Sequence, residues 1–150
     1  ALQILRYAGR LGGTYPTDPV RALAVDEVLG MNAEVIDLAN LPGHASIFLP
    51  GDPAKYTATA GKMISEKKLP ALLQTWEHML AKNGSGYFVG REPTIADFAV
   101  ASTIDMLRTG FYESCHSISP KVVDGFPRLN ALVDLIKDIP GVHRYREEKQ

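Results

Sequence analysis

The chain has 150 residues, of which 45% are hydrophobic and 22% are charged, and its formal net charge is −1. This length and composition predict one globular domain with a substantial core and exclude an intrinsically disordered protein. The near-neutral charge gives no electrostatic basis for binding nucleic acid or an anionic membrane surface, and no apolar run approaches the roughly 20 residues that span a bilayer.

Apolar residues at helical spacing predict a first helix over residues 2–11, and Gly12 and Gly13 supply a left-handed stop after it. The chain begins at Ala1 with this helical rhythm already established. We therefore expect the sequence to start partway through a longer protein.

A second helix is predicted to begin at Thr17 or Asp18, either of which can cap it, with Pro19 suited to the first turn. Its apolar stripe continues toward Asn40. Residues 41–53 contain three prolines and two glycines, which predicts a long mid-chain loop. Loops of that length are uncommon in compact domains, so we interpret this one as an insertion or a lid.

Asp52 followed by Pro53 predicts the start of another helix by the same combination of a cap and a first-turn proline. Pro70 interrupts the pattern, because proline lacks the backbone donor and clashes with the preceding turn. It either kinks one helix or separates two. Residues 83–86 end this helical region.

The C-terminal half of the chain continues the helical pattern. Helices are predicted at about 94–107, 127–139 and 142–148, with a looser segment at 110–125. No stretch alternates as a strand does. The sequence therefore predicts an all-α bundle of about six or seven helices.

The start of the helix at Thr94 carries a reciprocal cap. The Thr94 hydroxyl can accept a hydrogen bond from the backbone N–H three residues on, and the Asp97 carboxylate can accept one from the Thr94 N–H. Loss of such a cap usually costs about 0.5–2 kcal/mol. We assign both residues to folding of this helix.

Residues 86–99, which contain this cap, resemble the segment entering the central buried helix of cytosolic glutathione transferases. Three other parts of the chain resemble the same family in the same order: residues 4–8, residues 68–73 with 83–84, and residues 126–129 with 139–145. The resemblance spans nearly the whole chain and is most similar to the sigma-like or related classes. The loop at 41–53 has no clear counterpart.

The resemblance implies a division of the chain. Residues 1–13 would be the last helix of a thioredoxin-like domain, and residues 14–150 would be the family's C-terminal-type helical domain. In that family the preceding domain holds glutathione and supplies the hydroxyl that stabilises its thiolate. The resemblance therefore implies no catalytic residue in this chain, which should be inactive alone. Glutathione would be a co-substrate of the intact protein, with no other cofactor.

The resemblance also implies roles for residues of the second helix. Glu34 falls near an acidic residue that reaches the glutathione amine bound by the neighbouring subunit, although a solvated helix charge explains it equally well. Met31, Val35 and Leu38 are candidates for an apolar pocket that holds the second substrate. A core stripe is the competing interpretation of these three residues.

A dimer interface is the third implied site. Arg6 is a candidate to pair with Asp26 or Glu27 across a two-fold axis, and ordinary surface charge is the competing interpretation. The resemblance implies that the intact protein is a homodimer.

The sequence carries little evidence for other chemistry. The four histidines are far apart and share no metal-ligand spacing with the single cysteine, Cys115, so we predict no metal site. One cysteine cannot form an internal disulfide, which favours a reducing, cytoplasmic location.

Two functions remain open from the sequence. The first is the helical portion of a glutathione transferase that conjugates glutathione to small apolar electrophiles in detoxification. The second is a non-catalytic interaction module in a larger protein assembly. In that case Ile47, Phe48 and Leu49 would form an exposed contact at the tip of the predicted loop.

Overall fold

A computed structural model describes residues 2–48, 51–110 and 116–148. Helices are the only regular secondary structure in these three ranges, and seven of them are α-helices. They are α1 (Leu2–Leu11), α2 (Pro19–Phe48), α3 (Pro53–Met63), α4 (Leu69–Asn83), α5 (Ile95–Thr109), α6 (Pro127–Lys137) and α7 (Pro140–Glu147). The all-α class predicted from the sequence is confirmed.

Helix α2 is longer than the sequence predicted, because it continues through Phe48 with Pro42 inside it. The loop predicted at 41–53 is therefore wrong over residues 41–48. Proline inside a helix costs about 3 kcal/mol or more. Tertiary contacts offset this cost, since Pro42 is buried and its carbonyl accepts a hydrogen bond from Thr57 Oγ1 on α3.

Pro70 does not end a helix, because helical residues run without a break from α3 into α4. A π-helical turn, Ile64–Lys68, joins α3 to α4, and the Leu69 N–H donates to the Ile64 carbonyl across it. Such a wide turn accommodates a proline that cannot donate to the carbonyl four residues before it. Of the two alternatives predicted for Pro70, the separation of two helices is wrong, because residues 53–83 form one helical segment with a π turn in the middle.

The core is centred on α5, which packs against α2 on one side and α6 on the other. Val100 and Ile104 of α5 are fully buried, as is Trp76 of α4. The Trp76 and Phe88 rings meet edge to face, with centroids 6.3 Å apart. This edge-to-face contact adds aromatic packing beside the start of α5.

Candidate functional site

Helix α1 is tied to α2 by an ion pair within the chain. Arg6 Nε donates to Asp26 Oδ1 at 2.9 Å, and Tyr15 Oη donates to Asp26 Oδ2 at 3.1 Å. The Arg6 and Asp26 side chains are 29% and 35% exposed. Two of the three residues predicted for a dimer interface thus meet within one chain.

Helix α1 has apolar residues on two faces. Leu2 and Leu5 are half-buried and pack against the helical core. On the opposite face Ile4, Tyr7 and Leu11 are 74%, 66% and 72% exposed. A helix with apolar residues on two opposite faces is normally covered on both, so the outward face is suited to contact with further protein.

The inner face of α1 is fixed against the start of α5. Gly9 is buried there, and a Cβ added to it would lie 2.5 Å from Cγ2 of Ile95. The Ile95 N–H also donates to the Thr14 carbonyl at 3.0 Å. Because only glycine permits this approach, Gly9 and the connection after α1 set the position of α1 on the bundle.

The cap that begins α5 is present in full. Thr94 N–H donates to Asp97 Oδ2 at 2.7 Å, and both halves of the capping box are formed. The Phe88 N–H donates to the other oxygen, Oδ1, at 2.8 Å. Burial raises the pKa of the fully buried Asp97, while the hydrogen bonds from Phe88 and Thr94 oppose that rise. Asp97 therefore joins the preceding loop to the central helix.

The other residues predicted for sites lie along α2. Glu27 and Glu34 are exposed, so both carboxylates are accessible to a ligand or a partner. Val35 is fully buried in the core, whereas Met31 and Leu38 are half-buried and pack against it. The arrangement agrees with a core stripe at Val35. The pocket role of the three apolar residues and the glutathione role of Glu34 stay predictions.

A cleft of about 730 Å³ lies where the end of α1, the start of α2 and the loop before α5 meet. The Arg10 guanidinium stacks over the Tyr15 ring in this cleft, 5.4 Å from its centroid. Two cations, Arg10 and Arg21, and two anions, Asp18 and Glu92, line it. The formal charges of these four side chains therefore sum to zero.

One carboxylate with a structural role was not found from the sequence. Glu77 of α4 is nearly buried and accepts hydrogen bonds from the Arg128 and Leu129 N–H groups, each at 3.0 Å from one of its oxygens. These donors belong to the first turn of α6, whose N-cap, Phe126, has no side-chain acceptor. The lack of an acceptor at Phe126 was the available signal, but it does not indicate which distant carboxylate supplies one.

The described ranges contain no group of three or more histidine, cysteine, aspartate or glutamate residues that could hold a metal ion. Cys115 and Leu49 lie outside these ranges. Within the same ranges no helix is both long and apolar enough to cross a bilayer.

The family described as "Glutathione S-transferase, C-terminal domain" matches residues 43–149 of the chain. Glutathione S-transferase 1 of Ascaris suum is 25% identical over 147 residues, which cover 97% of this chain and 66% of that protein. A glutathione S-transferase of Plasmodium yoelii yoelii is 34% identical over 79 residues, covering 53% of this chain and 34% of that protein. The chain thus spans only part of the length of these relatives.

A solved structure has the same fold. The glutathione S-transferase from Ascaris lumbricoides superimposes with a TM-score of 0.74 at 23% identity, covering 99% of this chain and 67% of that one. The helical arrangement is therefore that of about two thirds of such a protein.

Proposed function

Because the chain belongs to the glutathione S-transferase C-terminal domain family, we propose that it is the helical portion of a glutathione transferase. The intact protein would conjugate glutathione to small apolar electrophiles and act in cytoplasmic detoxification. Family membership carries this proposal. We also propose that the protein belongs to the sigma-like or related classes of the family.

The catalytic hydroxyl and most of the glutathione site would lie in a thioredoxin-like domain that precedes residue 14 and ends with α1. The apolar residues on two opposite faces of α1 support this division. Its inner face packs on the bundle, and its outer face presents Ile4, Tyr7 and Leu11 to whatever precedes it. A helix shared between two domains needs apolar residues on both sides.

In this proposal the chemistry is attack of the glutathione thiolate on the electrophilic carbon, with departure of a leaving group or opening of a ring or double bond. The helical portion would supply binding. Met31 and Leu38, half-buried on α2, offer apolar surface for the electrophile. Glu34 is exposed on the same helix and can attract the ammonium group of glutathione bound by the neighbouring subunit.

A homodimer is also part of the proposal. Arg6 and Asp26 already satisfy each other within the chain, which leaves the exposed Glu27 as the predicted interface residue with a charge open to a partner. The Arg6–Asp26 pair would then act by holding α1 at the correct angle beside that interface.

The proposal is tested by expressing the chain together with its upstream domain and measuring conjugation of 1-chloro-2,4-dinitrobenzene and retention on immobilised glutathione. We expect both activities. Glu34→Gln should raise the KM for glutathione, while the control Asp37→Asn, an exposed acid on the same helix, should not. A folded protein that neither conjugates nor binds glutathione, but captures a protein partner, would instead be an interaction module.

A further inference from the structure

Another cleft, of about 660 Å³, lies between the helical segment of α3 with the π turn and residues 116–122. Lys62 of α3 and Glu66 of the π turn line one wall, and His116 and Lys121 line the other. We call it the lysine cleft. None of the residues to which the proposed conjugation gives a role lines it, so that function does not account for its side chains.

The two walls of the lysine cleft are held together by close contacts. Gly61 of α3 is buried against Ser117, and a Cβ added to Gly61 would overlap the Ser117 carbonyl. The Ser119 N–H donates to Ser65 Oγ at 3.0 Å. Ser65 lies in the π turn, and π turns within helices are frequent at functional sites. The cleft is therefore preformed, because the contacts that shape it belong to the fold.

The lysine cleft has an excess of positive charge. Lys62 and Lys121 contribute two cations and Glu66 one anion, so the formal charge of these side chains is +1, and a protonated His116 would add to it. Among the described residues neither lysine forms an ion pair. Two ammonium groups that line one cleft repel each other, and an anion bound between them would relieve that repulsion. Each ammonium has three donors, which favours an anion with several acceptor oxygens.

A hydroxyl and apolar side chains complete the lining. Ser117 lines the cleft, and its Oγ is buried without a hydrogen-bond partner in the part of the chain that the structure describes. A buried hydroxyl that lacks a partner costs free energy, and a change of its χ1 rotamer would let it donate to an oxygen in the cleft. Ala58, Pro120 and Val122 offer apolar surface beside these polar groups. The lining therefore suits a ligand with an anionic end and an apolar end.

We propose that the lysine cleft binds a small organic phosphate monoester. A phosphate monoester carries nearly two negative charges at neutral pH and three terminal acceptor oxygens. It can therefore accept from Lys62, Lys121 and the Ser117 hydroxyl together, whereas a carboxylate has one charge and two oxygens. The organic part would lie against Pro120 and Val122. The inference is independent of the proposed conjugation activity.

Isothermal titration calorimetry of the 150-residue chain at low ionic strength tests the site, with phenyl phosphate as the probe. We expect phenyl phosphate to bind, inorganic phosphate to bind more weakly, and phenol to show no binding. Lys62→Gln and Lys121→Gln should each weaken the binding of phenyl phosphate about fivefold, since each removes a charge-assisted hydrogen bond. Lys55→Gln is the matched control: it makes the same change at an exposed position of α3 that does not line the cleft.

Two further variants separate binding from stability. Glu66→Gln removes the negative charge from the lysine cleft and should tighten the binding of phenyl phosphate about threefold. Ser117→Ala should weaken binding about threefold without lowering the free energy of unfolding, because the hydroxyl that is lost has no partner in the fold.

Three results would overturn the inference. The first is no binding of phenyl phosphate. The second is equal affinity in the wild type, Lys62→Gln and Lys121→Gln, which would place the ligand elsewhere on the chain. The third is binding of phenol or inorganic phosphate as tight as that of phenyl phosphate, because the proposed site needs both the anionic and the apolar end.

Discussion

Two carboxylates, Asp97 and Glu77, are almost fully buried, and each accepts hydrogen bonds from backbone N–H groups at the start of a helix. The first N–H groups of a helix have no partner within it, and the helix dipole favours negative charge there. The two carboxylates differ in how far along the chain they lie from the N–H groups that they accept. Asp97 lies three residues after the Thr94 it caps, so a local pattern revealed it, whereas Glu77 lies 51 residues before Arg128.

The cap at Asp97 gives the first prediction. Asp97→Asn keeps the shape of the side chain but replaces one carboxylate oxygen with an amide that cannot accept from the Thr94 or Phe88 N–H. We expect a loss of about 1–3 kcal/mol in the free energy of unfolding, because a buried donor is left unpaired. Urea unfolding measures it. Asp37→Asn, an exposed change on α2, is the control and should have almost no effect.

The second prediction concerns Glu77, which holds the start of α6 from a neighbouring helix. Glu77→Gln retains one acceptor oxygen but loses the charge and the second acceptor, so we expect about 1–3 kcal/mol of destabilisation. The exposed Glu66→Gln serves as the control in the same thermal or urea measurement. Equal stability of the two variants would contradict a capping role for Glu77.

At the scale of elements, the helices were predictable where periodicity and capping agreed, as they do for α1 and α5. The exception was residues 41–48, where Pro42 and Gly43 suggested a loop and the structure has the end of α2. Local propensity favours a break at this point. Packing of α2 against α3 overrides it, and a pattern confined to one segment contains no information about that contact.

Pro42 supplies a test that distinguishes a helix from a loop. In a helix, Pro42→Ala restores a backbone hydrogen bond and removes a clash worth about 3 kcal/mol, while the lost side-chain burial costs about 1.6 kcal/mol. We therefore expect net stabilisation of about 1 kcal/mol. In a loop the same change would destabilise by about 0.4–1 kcal/mol through the unfolded state. Differential scanning calorimetry measures the change in stability and so distinguishes the helix from the loop. Pro53→Ala, at the start of α3, is the control.

The junction of α5, α6 and α7 predicts a dependence on pH. Burial of Asp105 acts to raise its pKa, but the hydrogen bonds and charges of Lys137 and Arg146 outweigh burial and lower the pKa below its ordinary value. A lowered folded-state pKa adds stability that is complete above the unfolded-state value and is lost as the pH falls through the folded-state value.

We accordingly expect the difference in unfolding free energy between the wild type and Asp105→Asn to be about 1 kcal/mol near pH 6, since the pair is partly exposed. Urea unfolding should show this difference shrinking as the pH falls below about 4, the usual pKa of an unfolded-state aspartate. Asp134→Asn, an exposed change on α6, should show no such trend. A difference that is constant across the range would contradict the assigned ion pairs.

At the scale of the whole molecule, family and fold were predictable because several short patterns occur in the right order along the chain. Less of the candidate site than of the fold could be predicted from the sequence. Arg6, Asp26 and Glu27 were predicted as a dimer interface, but the sequence cannot show that the first two pair within the chain. Side-chain partners across elements depend on helix rotation, which is set by close contacts such as that of Gly9 with Ile95.

The outward face of α1 gives the last prediction, and its sign depends on what surrounds the chain. In the isolated 150-residue chain, Ile4 and Leu11 are exposed, so the chain should self-associate through them. Replacing both with lysine should make it monomeric by analytical ultracentrifugation without loss of helical circular dichroism. Gln3→Lys, an exposed change on the same helix, should leave the self-association in place.

In a protein that includes the proposed upstream domain, lysine at positions 4 and 11 should destabilise the fold by several kcal/mol, because these side chains would bury charge between the domains. If the two lysines made the isolated chain monomeric and also left the longer protein as stable as before, α1 would not be a helix shared between two domains.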